Sequence, residues 1–527
     1  MKKLLSLLLV AVMALTMVSV ASADDLYEKP LVLGYTQDLM SSNFYAIPAG
    51  VDNLCFKIVG GQPILCDDVN GQYAPMLFES WEVSEDQLVW TFHLRQDAYW
   101  HDGVQVTADD VIFSEAYLKE MDQFENWHCW WQFEFPYQLN KVDDFTVEFV
   151  LEAPTSALLS NLSDQMGEII PKHIWENVER KDFTNVEAAK LPVGFGPYKM
   201  VAYEPGVSIT LEANEAYFGG APKIKTIIIQ IMPSTASATL ALEAGDIDGL
   251  SLSSIEYERM LSEGKIAGTQ IALIAEHLIS FNYEREELQD TRMRQALNYL
   301  MDNETVLDGA YGGIGKVVYG TFIDEVMYSD TSVWVDYSYN VEKAKALIEE
   351  MGYTIGSDGY YQKDGKTLEF ELMYTGSNDT FANVCLIYQA TAQAGGVKLN
   401  LAGLDSAVIT EKRNNYDYDL VFGGWSLGID NSMYSANKYY GEGAFHETYA
   451  NSARVDELFV EGASSADDEV RANAYRELDK ILSEDPCYVY IIQRGQCFGY
   501  NKALDISEAE RSSGNDFNYW NKLAWKE

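Results

Sequence analysis

Histidine is scarce in this 527-residue chain: six occur, at 93, 101, 128, 173, 277 and 446, and no two stand at His-x-x-x-His spacing. Cys-x-x-Cys is absent too, and His128-Cys129 is the only adjacent His-Cys pair, so the usual zinc-ligand spacings are missing and no metal site is expected. Positive charge is also thin, with 37 Lys and Arg against 81 Asp and Glu and a formal net charge of −44. Such a field repels polyanions and argues against binding nucleic acid or anionic lipid. Beyond residue 20 no apolar run approaches membrane-spanning length. There is no internal repeat, low-complexity tract, or Pro-rich or Gly/Ser-rich linker, so any lobes must be joined by structured crossings. Gly194-Phe-Gly196-Pro197 is not a phosphate cradle, because Pro197 removes a backbone donor; no nucleotide or redox cofactor is expected.

What is present fits a large exported protein. The length calls for two or three structural units, and 47% apolar with 13% aromatic residues supplies their cores. Thirty-four Tyr and 11 Trp suit a ligand cleft as well as a packed interior. Lys2 and Lys3, an apolar run from Leu4 to Val20, then Ala21-Ser22-Ala23 before Asp24-Asp25 read as a secretory signal peptide over 1–23. No Cys stands at the cleavage site, so a lipid anchor is not encoded and a periplasmic or extracellular protein is expected. Six cysteines (55, 66, 129, 385, 487, 497) could form disulfides after export; Cys55/Cys66 and Cys487/Cys497 are nearest in sequence, but spacing does not fix pairing.

Alternation over Leu88–Arg95 and Phe145–Leu151 predicts strands with one covered face. The continuous runs Ile227–Ile231 and Leu420–Phe422 predict strands buried on both faces. A helix is predicted over Val341–Met351, N-capped by Asn340 and stopped by Gly352, with others near Ser237–Ala244, Thr291–Met301 and Val470–Leu482. The class is α/β with an additional β-rich portion.

A long succession of blocks is more specific. It opens with Ala74-Pro-Met-Leu-Phe-Glu-Ser-Trp81, then Trp90-Thr-Phe-His-Leu-Arg95, Trp100-His-Asp-Gly103 and Thr107-Ala-Asp-Asp-Val-Ile-Phe113. Pro192-Val-Gly-Phe-Gly-Pro-Tyr198, Asn214 to Ile224, Leu242 to Asp248, Phe281-Asn282 and Arg294 to Asp302 follow. In order and spacing these resemble the extracellular solute-binding proteins, family 5, that serve peptide and nickel ABC importers. Most of the blocks read physically as structural: Thr107 caps a helix, Asp109 and Asp110 sit in its positive first turn, and Gly103 turns the chain. Arg294 is open to either reading, a ligand contact or a satisfied ion pair.

The resemblance implies a two-lobed periplasmic-binding-protein-like clamp (type II). Residues 24–67, 192–285 and 500–527 would form the first lobe, 68–191 an inserted β-rich domain, and 286–499 the second lobe. The inter-lobe crossings would fall near Phe281-Asn282-Tyr283 and Gly499-Tyr500. It further implies capture of di- or oligopeptides in the inter-lobe cleft by a non-enzymatic monomer, which touches the membrane only through an ABC permease with a cytoplasmic ATPase. An oligosaccharide or a metal chelate is the alternative cargo.

The sharpest local segment is Phe422-Gly-Gly-Trp425-Ser-Leu-Gly-Ile-Asp430. By resemblance, backbone at Gly424, Trp425 and Ser426 would pair with an extended ligand, Trp425 would wall it, and Asp430 would meet its amino terminus. Peptide-binding relatives carry that Asp nearer the Trp, where Leu427 and Gly428 stand here. From the facing lobe, Tyr35, Gln37 and Asp38 are expected to contact the ligand. Neither Arg413 nor His446 matches a diagnostic motif for a carboxylate-binding residue. Gly424-Trp-Ser426-Leu-Gly428 also matches Gly-x-Ser-x-Gly, the nucleophile elbow of a secreted serine hydrolase. The only later His is His446, with no strand between for the acid, which speaks against that reading.

Overall fold

The computed structural model describes residues 23–41, 43–46, 50–67, 72–120, 135–163, 168–426, 430, 451–465, 467–509 and 517–527. The expected signal peptide, save Ala23, lies outside the described residues, as do His128, Cys129 and His446. One mixed sheet of 11 strands organises the chain. Its order is Lys398–Leu404, Glu369–Thr375, Leu420–Ser426, Ala267–Phe281, Tyr488–Tyr500, Gly249–Leu252, Leu31–Tyr35, Thr226–Ile231, Ser208–Ala213 and Tyr198–Glu204, with Gly315–Val317 added beside Tyr488–Tyr500. A separate four-stranded antiparallel sheet is ordered Phe78–Val83, Val89–Leu94, Thr146–Leu151, Tyr137–Asp143.

The two longest strands, Ala267–Phe281 and Tyr488–Tyr500, run antiparallel through the centre of the large sheet. Ala267 to Ala272 pair with Tyr500 to Gly495; after a register slip, Glu276 to Ser280 pair with Gln493 to Tyr488. Side chains sort into two large cores on either side of that slip. One gathers Leu31, Leu33, Ile227, Ile229, Trp100 and Trp520; the other gathers Leu278, Phe281, Leu372, Phe422, Tyr488 and Ile491. Each large apolar side chain sealed this way contributes roughly 1.5–3 kcal/mol. The opposite sheet faces carry smaller clusters: Leu242, Leu250 and Met260 under the helices Thr235–Ala244 and Ser254–Ser262, and Met373, Ile409 and Val421 under Ser406–Asn414.

Local expectations are met where the pattern was strict. Val89–Leu94 turns Trp90, Phe92 and Leu94 inward, and Thr146–Leu151 pairs with it throughout Val89 to His93. The Thr107 amide donates to Asp110 Oδ2 at 2.9 Å in a capping box. Asn340 Oδ1 accepts the Lys343 amide at 3.0 Å to start the helix Val341–Glu350, and Gly352 follows in the left-handed region at φ 86°. Ile227–Ile231 departs from expectation: Ile227 and Ile229 are buried, whereas Ile228 on the other face is only half-buried, as is Ile231 at the strand's end. This strand is parallel to Leu31–Tyr35 but antiparallel to Ser208–Ala213, and such mixed positions commonly leave one face less covered. Gly194 and Gly196 are held against residues 58 to 60; a Cβ on Gly194 would lie 1.8 Å from the Val59 carbonyl oxygen. Arg294 takes its structural reading, buried and donating to the carbonyls of Pro486, Leu288 and Gln289 at 2.9, 2.7 and 2.9 Å while paired with Asp485.

Candidate functional site

The second core contains a βαβαβ passage that turns back on itself. From Glu369–Thr375 the chain crosses through the helix Asp379–Ala394 to Lys398–Leu404, then through Ser406–Asn414 to Leu420–Ser426 on the other side of the first strand. All three strands are parallel. Opposite directions of travel put the two helices on opposite sheet faces. The cores agree, since Val384 and Tyr388 join the large core and Ile409 the small one. The carboxyl ends of Glu369–Thr375 and Leu420–Ser426 therefore flank a topological switch point, where open α/β sheets bind ligands.

The strands also part there. Leu372 and Met373 pair with Leu420 and Val421, and that pairing then stops, while Tyr374 and Thr375 stay with Gly403 and Leu404. Between the diverging ends lies a cavity of about 220 Å³ lined by Thr375, Phe381, Ser406, Thr410, Arg413 and Gly423 to Trp425, among others. Phe422 to Ser426 keep a partner on one side only, Ile279 to Ala275. Among the described residues no strand pairs with their other edge. A row of backbone donors and acceptors is thus presented beside the crevice.

Aromatic packing stiffens this edge. His277, opposite Gly424 in the ladder, stacks edge-to-face on Phe381 and Phe422 at centroid distances of 5.1 and 5.6 Å, and its Nδ1 is hydrogen-bonded to the Tyr311 hydroxyl. Burial, with the Arg494 charge adding to it, lowers the His277 pKa to about 3, so the ring is neutral near pH 7. A Cβ on Gly424 would lie 2.4 Å from His277 Cδ2 and 2.7 Å from the Glu276 carbonyl oxygen; at Gly423 it would meet nothing within 4 Å. The first glycine is needed for close approach, and the second borders open space. The Arg413 guanidinium lies 6.0 Å from the Trp425 ring centroid. Sequence reasoning missed His277 and Phe381, which are separated from Trp425 along the chain and carry no local signal.

Tyr35, Gln37 and Asp38 occupy the matching place in the other half, the carboxyl end of Leu31–Tyr35, parallel to Thr226–Ile231. Gln37 is exposed, and Tyr35 and Asp38 are half-buried. Asp38 organises its loop, with Oδ1 accepting the Leu39 amide at 2.8 Å and Oδ2 the Gly206 amide at 2.6 Å. Beneath it the buried Asp52 accepts the Met40 and Ser41 amides at 2.8 and 3.2 Å, and burial raises its pKa to about 6. None of residues 35–38 lines the 220 Å³ cavity.

The model of the bacterial extracellular solute-binding proteins, family 5, middle region, matches residues 72–447. The chain belongs to this family. It is 27% identical over 426 residues to the oligopeptide-binding protein AppA of Bacillus subtilis, covering 79% of this chain and 77% of that one. Among solved structures it resembles the ABC transporter substrate-binding protein CtaP of Listeria monocytogenes, with TM-score 0.82, 25% identity and coverage of 95% and 100%. The Bacillus subtilis AppA structure in complex with a nonapeptide gives TM-score 0.75 at 23% identity, with coverage of 95% and 99%. The expected α/β two-lobed class is thereby established.

In this family 5 chain Asp430 is fully buried, and its carboxylate is engaged by protein groups: Arg471 Nη2 at 2.5 Å and the Tyr73 hydroxyl at 3.4 Å. Burial acts to lower the Arg471 pKa, but the Asp430 charge and hydrogen bond, together with Tyr475 and Tyr328, outweigh it and leave the guanidinium raised. Among the described residues Cys55, Cys385 and Cys497 form no disulfide, so neither Cys55/Cys66 nor Cys487/Cys497 is bridged, and burial raises the thiol pKa of Cys385 to about 12 and of Cys497 to about 11. Among the described residues no cluster of His, Cys, Asp and Glu could hold a metal ion, and no helix is long and apolar enough to cross a membrane.

Proposed function

We propose that this protein captures di- or oligopeptides in a cleft between two lobes and hands them to an ABC permease driven by a cytoplasmic ATPase, leaving the cargo chemically unchanged. The observation that carries this reading is the open strand edge at Phe422 to Ser426 beside the switch-point crevice. An extended main chain can add to such an edge, gaining hydrogen bonds without its side chains being read. In this reading Gly424 and Ser426 supply backbone partners, Trp425 walls the ligand, and Tyr35, Gln37 and Asp38 close over it from the facing lobe. Asp430 supports the site from beneath.

The lobes are proposed to be 24–67, 192–285 and 500–527 against 286–499, with 68–191 inserted. The separation of the two large cores supports a division into two lobes and favours crossings at the register slip, 272–276 and 493–495, in place of those expected from sequence near 281–283 and 499–500. Export of a monomer from a cleaved leader, without lipid attachment, belongs to the same proposal. Mass spectrometry of small molecules released on denaturing the purified protein tests it. Short peptides are the expected result; a sugar or a metal chelate in their place would overturn it.

A further inference from the structure

Asp430 ends the segment that starts at Gly424, and its carboxylate joins parts of the chain that belong to different cores. Oδ1 accepts Arg471 Nη2 at 2.5 Å, and Oδ2 accepts the Tyr73 hydroxyl at 3.4 Å. Arg471 is fixed from the second-lobe side: its Nε donates to the Gly462 carbonyl at 3.0 Å, its Nη1 meets the Tyr328 hydroxyl at 3.3 Å, and its Cζ lies 4.4 Å from the Tyr328 ring centroid. Tyr73 belongs to the hairpin formed by Ile64–Asp67 and Gln72–Pro75, in which Ile64 lies in the first core and Cys66 packs on the second. A second bridge lies at the same helix pair. The Ser156 amide and hydroxyl both donate to the Ala463 carbonyl, at 2.8 and 3.2 Å, at the end of the helix Ser452–Ala463.

A buried carboxylate paired with Arg is stable only when its remaining lone pairs are also satisfied. Arg471 stays with Asp430 whatever the lobes do, because both lie on the second-lobe side. Tyr73 approaches from the other side, so its hydrogen bond exists only when the two sides are together. Resting on the solute-clamp reading above, we propose that Asp430 is a positioning residue. It anchors the ligand-facing segment to Tyr73, so that gripping the cargo and closing the inter-lobe contact are one event.

Tyr73→Phe removes the hydroxyl at nearly constant volume and leaves the Asp430–Arg471 pair in place. At 3.4 Å this hydrogen bond is long, and its loss shifts the open-to-closed ratio about twofold. Small-angle scattering of the protein without added peptide should then give a larger radius of gyration, and peptides that co-purify should escape about twofold faster on dilution. Ser156→Ala should shift both readouts in the same direction. A merely structural hydroxyl would lower the melting temperature and leave the scattering profile unmoved. Profiles and escape rates equal to the parent protein's in both variants overturn the proposal. If the parent protein releases no peptide on denaturation, the peptide reading fails by that measurement, while the scattering comparison still decides whether Tyr73 holds the lobes together.

Discussion

Replacing Gly424 and Gly423 by Ala, one at a time, separates the two jobs assigned to neighbouring residues of one strand. At Gly424 the new methyl would sit 2.4 Å from His277 Cδ2 and 2.7 Å from a backbone oxygen. The ring cannot turn aside without giving up its Tyr311 hydrogen bond and its contacts with Phe381 and Phe422. Overpacking of this kind costs about 1–3 kcal/mol, and a lost hydrogen bond adds roughly 1. For a cooperative unit the size of the second lobe, about 2–3 kcal/mol lowers the melting temperature by about 5–10 °C. At Gly423 the methyl meets nothing within 4 Å, so stability should hold. It projects instead into the space proposed for the ligand, where displacement of an extended chain should weaken binding about tenfold or more. Differential scanning calorimetry and titration with a peptide identified by release mass spectrometry read the two effects. A Gly424→Ala protein melting with the parent, or a Gly423→Ala protein binding as the parent does, would refute the geometry.

Further expectations concern charge and chemistry. Arg294→Met leaves Asp485 buried beside unsatisfied carbonyls and should cost about 3–5 kcal/mol in a urea titration, with the identity of the released cargo unchanged. Asp52 is raised from 3.8 to about 6, so its contribution to stability is fully present below 3.8 and is lost as pH rises through 6. Asp52→Asn should flatten the stability profile between those values. His277 is lowered from 6.5 to about 3; its contribution is present above 6.5 and fades as pH falls toward 3, and His277→Phe should remove that opposite slope. Both slopes are read from melting temperatures across pH 3 to 7. A serine-reactive fluorophosphonate should fail to label Ser426, and Ser426→Ala should keep the full cargo load; labelling that Ser426→Ala abolishes would favour a hydrolase.

Much of the fold was legible because its signals are local. A capping box at Thr107 and Asp110 needs only the next turn of chain to act, and Asn340 starts its helix the same way. Inward alternation from Trp90 to Leu94 follows from a strand's period of two, whatever lies on its covered face. The succession of family blocks from Ala74 to Asp302 pointed to the family. Asp430 marks where this kind of reading ends: a polar residue after a glycine-rich strand end looks the same whether it meets a ligand amine or Arg471, 41 positions later.

By itself, then, the sequence determined the class and the family, because propensity, capping and ordered motifs are properties of neighbouring residues. Tertiary structure alone decided that Leu420–Ser426 loses its pairing with Glu369–Thr375 after Val421, that His277 lies over Gly424, and that Tyr73 meets Asp430 across 357 positions. Those facts depend on which strands become neighbours and where they diverge. That choice is made by burial of the whole chain at once, so no window of the sequence contains it.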